Sequence, residues 1–382
     1  MSQRLHICFT FVGDVTRDSR LRRFASACAD AAEVTVIQLT ELWEGNEGNE
    51  GNTGNEGKFN LISFPMKGSL RQKLPKFWRL ASKSARHLGA DLLIASDLYS
   101  LPAAARAAKA LHRPLMYDAR ELYTSVAALQ GRPLMQRFWS WTERRYAKRA
   151  ALVFTVNESI AEILRQRYPD VRVIRNLPDF PIPTASDKLR EVCAIPADRR
   201  ILLSQGGLQQ GRGAYILLEA LMELPDCHLV FLGDGALRDE IKASAQINGI
   251  ADRVTILPAV PSTELPVYTA SADLGMCLIE NLGQSYFFSL PNKLFEYIAS
   301  GVPVIGSDFP EIGAVLRETG AGIAIDPTNL KLVCKAIRTL LDDSDRYTRT
   351  RAACLAATEE YHWEKERRVL LQAVHESESA GR

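Results

Sequence analysis

Residues 289–310 contain the side chains that are best suited to binding an anionic ligand. Ser289 precedes Pro291, and this arrangement is typical of a capping residue and the first turn of a helix. Free backbone N–H groups at a helix start, with the Lys293 ammonium beside them, form a site for a diphosphate. Glu296 stands on a neighbouring position of the same helix, where a carboxylate can accept hydrogen bonds from a ribose diol. The same residues also fit a capped amphipathic helix with incidental charges, so both interpretations stay open.

Four charged residues follow predicted strands in the first half of the chain: Asp97, Asp118, Arg120 and Glu121. Ligands bind at the carboxyl ends of strands in a parallel sheet, so these four are candidate catalytic residues. Arg120 can stabilise the charge that develops on a leaving diphosphate, or it can bind an anionic acceptor. A structural salt bridge from Arg120 to Asp118 or Glu121 explains the same residues equally well.

Alternating strands and helices position both groups of residues. Short apolar or β-branched runs predict strands at residues 5–12, 33–39, 92–95, 115–117, 151–156 and 171–174, then at 201–204, 228–232, 254–257, 274–278 and 302–305. Apolar residues at helical spacing predict helices between them, including residues 20–29, 215–222, 236–247, 291–299 and 330–341. This alternation predicts an α/β protein with two Rossmann-like, doubly wound domains.

A proline-rich segment predicts where the two domains meet. Residues 177–187 contain three prolines and little periodicity, which is typical of a linker. We therefore expect a first domain over residues 1–182 and a second over residues 183–360, facing a cleft. A C-terminal helix over residues 361–382 is expected to pack back on the first domain. A repeat of Gly, Asn and Glu at residues 45–57 cannot supply a core, so it predicts a solvated, mobile loop.

The composition excludes several classes of protein. With 46 % hydrophobic and 24 % charged residues, this chain of 382 residues is neither disordered nor fibrous. No apolar run reaches the roughly 18–20 residues that a membrane span requires, and no secretory signal is found at the N-terminus. The seven cysteines form no Cys-x-x-Cys pair and the six histidines have no metal-ligand spacing. We therefore expect a reducing cytoplasm and no metal ion.

Charge is divided unevenly along the chain. Residues 1–190 hold 29 Lys or Arg and 19 Asp or Glu, whereas the remainder holds 18 and 26. Residues 57–90 hold eight of the basic residues and no acidic one. Apolar residues recur there at helical spacing: Leu70, Leu74, Phe77, Trp78 and Ala81. This pattern predicts either an interfacial helix on an anionic membrane surface or an ordinary domain helix with a solvated basic face. Aromatic and basic residues are not interleaved as in nucleic-acid-binding modules, so no nucleic acid partner is expected.

Several motifs of the chain resemble glycosyltransferase family 4, whose members are retaining enzymes of the GT-B fold. The family's nucleotide-sugar-binding segment is similar to P-N-K-L-F-E-Y-I-A-S-G-V-P-V-I-G-S at residues 291–307. Its diphosphate loop is similar to Q-G-G-L-Q-Q-G-R-G at residues 205–213. D-S-R-L-R-R at residues 18–23 and Y-D-A-R-E-L-Y at residues 117–123 also agree with the family. The motifs occur in the family's order, and the resemblance covers about residues 4–375.

The resemblance implies which residues bind the donor. Glu296 matches the second glutamate of the family's E-x7-E motif and would hold the donor ribose. Arg212 takes the place of a lysine that grips the diphosphate, a role that suits a guanidinium because it donates two parallel hydrogen bonds. Gly13 matches a glycine in a loop that lets the backbone approach the donor. The segment expected to contact the phosphates consists of Ser289, Leu290, Pro291, Asn292 and Lys293.

Three positions depart from the family pattern. Phe288 stands where the first glutamate of E-x7-E is expected, so the contacts to the transferred sugar differ. Gly207, in the donor-binding loop, stands where many relatives have an arginine, and Arg120 replaces a common histidine. These differences affect the sugar contacts and the catalytic detail rather than the nucleotide site.

The resemblance implies an enzyme without metal or cofactor that moves a sugar from a UDP- or GDP-sugar to a hydroxyl group with retention. The acceptor would be lipid-linked or a saccharide, in cell-envelope polysaccharide or glycolipid assembly. The enzyme would be cytoplasmic and peripheral to the inner face of the plasma membrane. Retaining transfer in this family uses the donor phosphate to deprotonate the acceptor, so no protein nucleophile is assigned. Two alternatives stay open: a sugar-nucleotide epimerase of the same fold, and an inactive homologue that acts as a binding partner.

Overall fold

The chain folds into two compact units. The computed structural model describes residues 4–41, 52–55, 57–126, 129–179, 182–183 and 185–380. The first unit comprises Met1–Arg175 and Glu366–Arg382, and the second comprises Asn176–Lys365. The sequence placed the division at residue 182 and the start of the returning helix at residue 361. In the structure the crossover falls between Arg175, whose N–H donates to the Glu366 carboxylate, and Asn176, whose side-chain amide donates to Asn292.

An eight-stranded sheet forms the centre of the first unit. Its strands are β1 (His6–Val12), β2 (Glu33–Glu41), β3 (Asn52–Asn55), β4 (Asn60–Met66), β5 (Leu92–Ala95), β6 (Leu115–Asp118), β7 (Leu152–Thr155) and β8 (Val171–Val173). They lie in the order β3-β4-β2-β1-β5-β6-β7-β8, and every pair except β3 with β4 is parallel. The strand order reverses between β1 and β5, which is where doubly wound sheets bind ligands.

Strand β3 corrects the prediction of a mobile loop over residues 45–57. Asn52–Asn55 pair antiparallel with β4, with Thr53 opposite Ile62. An edge strand needs only backbone hydrogen bonds on one side, so a segment without apolar residues can join the sheet. Residues 45–51 and 56 lie outside the described residues.

Each of the five helices described first in this unit connects two strands of its sheet. They are α1 (Ser19–Ala29), α2 (Leu70–His87), α3 (Leu101–Leu111), α4 (Pro133–Ala147) and α5 (Glu158–Arg165). Helix α1 begins after Asp18, whose carboxylate accepts a hydrogen bond from the N–H of Leu21 at 2.7 Å. Phe9, Ile94 and Phe154 on the central strands are fully buried, as expected for a parallel sheet with both faces covered.

The second unit has a six-stranded, fully parallel sheet. Its strands are β9 (Arg200–Gln205), β10 (Cys227–Leu232), β11 (Val254–Leu257), β12 (Leu274–Cys277), β13 (Val304–Ser307) and β14 (Gly322–Ile325). They lie in the order β11-β10-β9-β12-β13-β14. The order therefore reverses between β9 and β12, so the loops that follow these two strands frame the expected ligand crevice.

The second unit contributes most of the helices. They are α6 (Lys188–Cys193), α7 (Ala214–Met222), α8 (Arg238–Ile247), α9 (Leu265–Thr269), α10 (Gln284–Phe287), α11 (Asn292–Ala299), α12 (Pro310–Thr319), α13 (Leu330–Leu341) and α14 (Ser344–Ala357). The last helix, α15 (Trp363–Ala380), returns to the first unit. There Arg367 pairs with Asp30, and Glu376 pairs with Arg172.

These sheets confirm the predicted α/β architecture with two Rossmann-like domains. The predicted strand at residues 254–257 and helix at residues 330–341 coincide with β11 and α13. Strand β4 was not predicted because Pro65 lies within it, a residue that usually marks an edge or a break. Among the described residues, no helix combines the length and the hydropathy needed to cross a bilayer.

Candidate functional site

The predicted anion-binding segment lies at the point where the strand order of the second unit reverses. Strand β9 ends at Gln205, and the loop after β12 leads through α10 into α11. The Tyr297 hydroxyl on α11 donates to the carbonyl of Leu203 (2.8 Å) and accepts from the N–H of Gln205 (3.0 Å). These two bonds fix the second half of α11 against the carboxyl end of β9. Residues from two distant segments therefore share one site.

The start of α11 differs from the prediction that Ser289 caps the helix. Pro291 is the N-cap residue, with φ −76° and ψ 144°, and Ser289 makes no capping bond. A residue before proline is held in extended backbone, so Leu290 cannot begin a helix and α11 starts at Asn292. The Ser289 N–H instead donates to Tyr286 at the end of α10. The first N–H groups of α11 keep no partner within the helix, as at every helix start.

Two basic side chains lie near the end of β12: Lys293, whose charge Glu296 favours from the same helix, and Arg212. Lys293 is 5 % exposed, and burial lowers its pKa to about 8, with the nearby charge of Arg212 acting in the same direction. Both charges also act on the buried Cys277 thiol, whose pKa burial raises to about 11. Neither side chain forms a hydrogen bond or ion pair with any residue in the described parts of the chain.

Two buried polar atoms in the same region lack a hydrogen-bond partner among the described residues: Arg212 Nε and Ser289 Oγ. Buried polar groups in folded proteins are almost always paired, so each such atom requires an explanation. An anion bound between Arg212 and Lys293 satisfies the charges and supplies acceptors for the donors. The residues present therefore fit a diphosphate.

Glu296 is held by a chain of side-chain hydrogen bonds. Gln205 Nε2 donates to Glu296 Oε2 at 2.5 Å, and Thr269 Oγ1 donates to Gln205 Oε1 at 2.9 Å. Gln205 and Thr269 are buried. Because the Glu296 carboxylate only accepts hydrogen bonds, the Gln205 amide nitrogen must face it. The carboxylate is thus oriented while it stays partly exposed.

The loop after β9 comes close to the loop after β12. Gly213 has φ +75°, and a Cβ there would lie 2.6 Å from Leu278 Cβ. Its N–H donates to Glu280 Oε1 at 3.3 Å, and the Glu280 N–H donates to Gly211 at 2.9 Å. These bonds place Arg212 beside the end of β12. Gly207 differs from these glycines, because a Cβ there would make only ordinary contacts with Gln209.

The remaining predicted donor residues of the second unit have structural contacts. Asn292 Oδ1 accepts from Asn176 at 2.6 Å, and Leu290 packs against the apolar core of the unit. Phe288 stacks edge-on against Phe287 with ring centroids 5.2 Å apart. The position expected for the first glutamate is therefore part of an aromatic cluster.

Asp97 lies at the reversal point of the first sheet and binds backbone. It accepts from the N–H of Val12 at 2.7 Å and from the N–H of Ser100 at 2.6 Å. Burial raises its pKa to about 6, and the two N–H donors and the charge of Arg120 partly oppose this shift. The carboxylate joins the ends of β1 and β5, so its visible contacts are structural.

Asp118 and Arg120 belong to a buried network of charges. Asp118, 1 % exposed, accepts hydrogen bonds from two nitrogens of Arg20, with the shortest N–O distance 2.7 Å, and from Arg120 Nε at 3.1 Å. Arg120 also pairs with Asp18. The geometry confirms a salt bridge between Arg120 and Asp118 at this strand end. Arg120 Nη2 is buried and keeps no hydrogen-bond partner among the described residues.

Gly13 lines a cavity of about 810 Å³ in the first unit. The cavity is bordered by the ends of β1, β2 and β4 and by the start of α2. Its polar side chains include Arg17, Gln38, Ser63 and Lys73. Lys73 is 7 % exposed and pairs with Glu41 at 3.2 Å.

Glu121, the last predicted catalytic residue, lies two residues before the 3-10 turn Tyr123–Ser125 and is half-buried.

Models of known protein families match both units of the chain. The second unit matches a family model described as glycosyl transferases group 1 over residues 185–354. The first matches a glycosyl transferase 4-like domain over residues 18–178. The chain belongs to the GT-B glycosyltransferases.

Named relatives of this GT-B glycosyltransferase act on different substrates. It is 26 % identical over 245 residues to D-inositol 3-phosphate glycosyltransferase of Xylanimonas cellulosilytica, covering 60 % of this chain and 57 % of the relative. It is 24 % identical to alpha-D-kanosaminyltransferase of Streptomyces kanamyceticus, covering 54 % and 55 %. The chain thus spans about half the length of the curated relatives it matches.

Solved structures show the same fold over the whole chain. A sucrose-phosphate synthase from Thermosynechococcus elongatus aligns with a TM-score of 0.82 at 18 % identity, covering 99 % of this chain and 100 % of that one. Anabaena HepE in complex with UDP aligns with a TM-score of 0.74 at 17 % identity, covering 97 % and 100 %. At these identities the likeness concerns the fold alone.

Three residues of the site in this glycosyltransferase were given no individual role from its sequence: Gln205, which lies at the start of the predicted diphosphate loop, Thr269 and Glu280. Gln205 carried a usable signal, because it is a polar residue at the carboxyl end of a strand in a parallel sheet. Thr269 and Glu280 carried none, since each acts through a contact with a segment more than sixty residues away. All three hold other site groups in place.

Substitution of Gln205 is expected to weaken binding of ligands that contain a nucleoside and to leave binding of other ligands unchanged. Gln205→Ala removes the hydrogen bond that orients Glu296, so affinity for the cognate nucleoside diphosphate should fall about five- to tenfold, as for the loss of one hydrogen bond of about 1 kcal/mol. Inorganic pyrophosphate has no ribose, so its affinity should not change. Calorimetry with both ligands checks this, with Gln246→Ala on the exposed side of α8 as control. Equal weakening of both ligands would place Gln205 at the phosphates.

Proposed function

We propose that this protein transfers a sugar from a UDP- or GDP-sugar to a hydroxyl acceptor with retention and without a metal ion. The observation that carries the proposal is the pair of cations, Arg212 and Lys293, which form no ion pair among the described residues, together with the buried unpartnered atoms of Arg212 and Ser289. Glu296, oriented by Gln205, stands one helical turn from Lys293 and offers a carboxylate for a ribose diol. A diphosphate flanked by a ribose is the chemistry that matches this spacing.

The proposed mechanism places positive charge where the leaving group becomes negative. Arg212, Lys293 and the first N–H groups of α11 would bind the donor diphosphate and stabilise it as the glycosidic bond breaks. Two cations supply the charge that a divalent metal ion supplies elsewhere, which supports transfer without a metal. The donor phosphate itself would take the acceptor proton. Arg120 is the catalytic candidate we retain in the first unit, because one of its nitrogens is unpartnered, and Asp118 and Asp18 position it.

The acceptor is proposed to bind in the cavity of the first unit. Arg17 and Lys73 line that cavity together with Asp14 and Glu41, and Gln38 donates a hydrogen bond to Ser63 on its wall. This lining of mixed charge and polar groups supports a saccharide or lipid-linked acceptor that carries several hydroxyl groups. The name of the inositol phosphate relative describes such an acceptor for that protein. We therefore place the reaction in cell-envelope glycolipid or polysaccharide assembly, in the cytoplasm beside the membrane.

A ligand screen tests the proposed function. Melting temperatures should be measured with UDP, GDP, ADP and dTDP and with their sugars. We expect one nucleotide to stabilise the protein, by about 2.7 kcal/mol at a hundredfold excess over its Kd. Transfer or slow hydrolysis of the matching donor sugar should follow. Stabilisation by none of the nucleotides would refute the proposal.

Two other outcomes of the same screen have defined meanings. Interconversion of the free donor sugar without transfer would identify an epimerase. Binding of a nucleotide with neither transfer nor hydrolysis of any donor would identify an inactive homologue, which the aromatic Phe288 in place of a sugar-binding glutamate would explain.

A further inference from the structure

Helix α4 presents an apolar face to solvent. Leu134 is 81 % exposed, Phe138 43 % and Trp141 56 %. These residues follow each other at spacings of four and three, so they lie on one side of the helix. Large apolar side chains that are grouped and exposed mark an interaction surface, whereas single ones are ordinary.

The opposite side of α4 is anchored in the first unit. Trp139 stacks edge-on against Tyr99 with ring centroids 4.9 Å apart. The Glu143 carboxylate accepts a hydrogen bond from the buried Tyr117 hydroxyl at 3.1 Å. The core side is therefore already occupied, so the helix cannot turn its apolar face inward without breaking these contacts. The exposed face is a fixed property of the fold.

The charge around this face is positive throughout. Six exposed basic residues lie in or beside α4: Arg132, Arg137, Arg144, Arg145, Lys148 and Arg149. None of them forms an ion pair with a residue in the described parts of the chain. Helix α3 contacts α2 and α4, and these neighbours add further exposed cations: Arg79, Lys83, Arg86, Arg106 and Lys109. In the three helices, all within the described residues, Glu143 is the one acidic residue and it is buried.

Helix α2 carries the basic stretch that the sequence singled out, yet its apolar side is not available. Leu74, Phe77 and Ala81 are buried in the core of the first unit. Trp78 donates its indole N–H to the carbonyl of Tyr99 at 2.6 Å. These contacts favour the interpretation of α2 as a domain helix with a solvated basic face. Apolar side chains that can leave water are therefore on α4.

We propose that α4 docks the first unit on an anionic lipid bilayer. Leu134, Phe138 and Trp141 enter the boundary between headgroups and acyl chains, and the surrounding cations bind the headgroups. Helices that combine exposed Trp, Phe and Leu side chains with Lys and Arg bind anionic interfaces in this way. A second copy of the chain is disfavoured as the occupant, because it would bring two sets of unpaired cations together. The proposal rests on the membrane-associated acceptor of the proposed function and adds the surface that reaches the membrane.

Vesicle co-sedimentation tests the proposal. The protein is expected to bind vesicles of equal parts phosphatidylcholine and phosphatidylglycerol, and to bind pure phosphatidylcholine much less. Salt should weaken the binding because headgroup contacts are screened. The variant with Leu134→Ser, Phe138→Ser and Trp141→Ser is expected to lose at least about tenfold in partitioning, since three apolar side chains no longer leave water.

A matched variant controls for general loss of surface hydrophobicity. Ile247→Ser, Val267→Ser and Leu332→Ser remove three exposed apolar side chains from helices of the second unit, and vesicle binding should be unchanged. Melting shifts with the cognate nucleotide should be the same in both triple variants, because the donor site is in the second unit. A failed nucleotide screen thus refutes the proposed function, and the vesicle assay separately decides the role of α4.

Three outcomes would overturn the proposal. In the first, the protein binds neither kind of vesicle. In the second, the α4 variant binds vesicles as well as the unaltered protein does. In the third outcome, light scattering without lipid shows self-association that the α4 variant abolishes, which would identify a second copy as the occupant.

Discussion

Replacing Lys293 by methionine is expected to weaken nucleotide binding and to raise the melting temperature of the empty protein. Burial lowers the pKa of Lys293 to about 8, so the charged form destabilises the folded state. Methionine has a similar length and no charge. Losing a charge-assisted contact to a diphosphate should remove about 1.5–3 kcal/mol of binding free energy, or about ten- to a hundredfold in Kd. A residue present only for stability would not give these opposite signs.

The pH dependence gives an independent measure of the same group. Below about pH 8 the ammonium is already present and affinity should not depend on its titration. Above that pH the anion must bind together with a proton, so affinity should fall by up to about tenfold per pH unit. The buried charge of Lys293 also destabilises the folded protein, and this destabilisation depends on pH. It is complete below about pH 8, where Lys293 is charged in both the folded and the unfolded protein. It disappears as pH rises toward the pKa of lysine in the unfolded chain.

Two further variants isolate the effect of Lys293. Arg212→Met removes a like charge, so it should raise the pKa of Lys293 and move the fall in affinity to higher pH, while also weakening binding. Lys335→Met makes the same substitution as the first variant on an exposed position of α13 and should change neither affinity nor its pH profile. Calorimetry across neutral to alkaline pH checks all three. Unchanged affinity in Lys293→Met would remove Lys293 from the donor site.

Strands could be predicted from the sequence where residue type alone marks them, whether the strand is buried, as β5 is, or half-buried, as β11 is. Strands such as β5 and β11 are short apolar or β-branched runs, and their bounds were predicted to the residue. Strand β3 could not be predicted, because its pairing with β4 depends on backbone hydrogen bonds and leaves no apolar pattern. The crossover between the units was displaced for a similar reason. It is set by the contacts of Arg175 and Asn176 rather than by the prolines that follow.

The candidate site was predictable where its ligand-binding residues lie in one segment of the chain. Lys293 and Glu296 lie on one helix, so their spacing alone placed them together. The helix start was wrong because Pro291, rather than Ser289, takes the N-cap position. The support of Glu296 by Gln205 and Thr269 joins three separate segments, so no local pattern could indicate it. Asp118 was predictable as a charged residue at a strand end, but its second partner, Arg20, is 98 residues away.

Replacing Asp118 by alanine is expected to destabilise the first unit strongly. The substitution leaves Arg20, which is 4 % exposed, without a carboxylate, and it removes one of the two acidic partners of Arg120. Removing one member of a buried ion pair costs about 3–5 kcal/mol, because the remaining charge stays buried without compensation. Arg20 keeps its bond to the Ile174 carbonyl and its position over the Phe24 ring, which only partly offset that loss. Denaturant unfolding measures the change.

A surface control separates this effect from simple loss of an acidic residue. Asp30 pairs with Lys58 and Arg367 at exposed positions of the same unit. Exposed pairs contribute about 0–1 kcal/mol, so Asp30→Ala should change unfolding by no more than that. Equal destabilisation by the two substitutions would contradict a special role for the buried network.

A double variant decides whether Asp118 also takes part in catalysis. Arg20→Met with Asp118→Leu replaces the buried pair by apolar side chains of similar size, and such replacements are commonly neutral or stabilising. Most of the lost stability should therefore return. Arg120 keeps its pairing with Asp18, so kcat should fall by less than about tenfold if Asp118 only positions the guanidinium. A stable double variant without measurable transfer would instead make Asp118 a catalytic residue, because restored folding would leave loss of chemistry as the remaining cause.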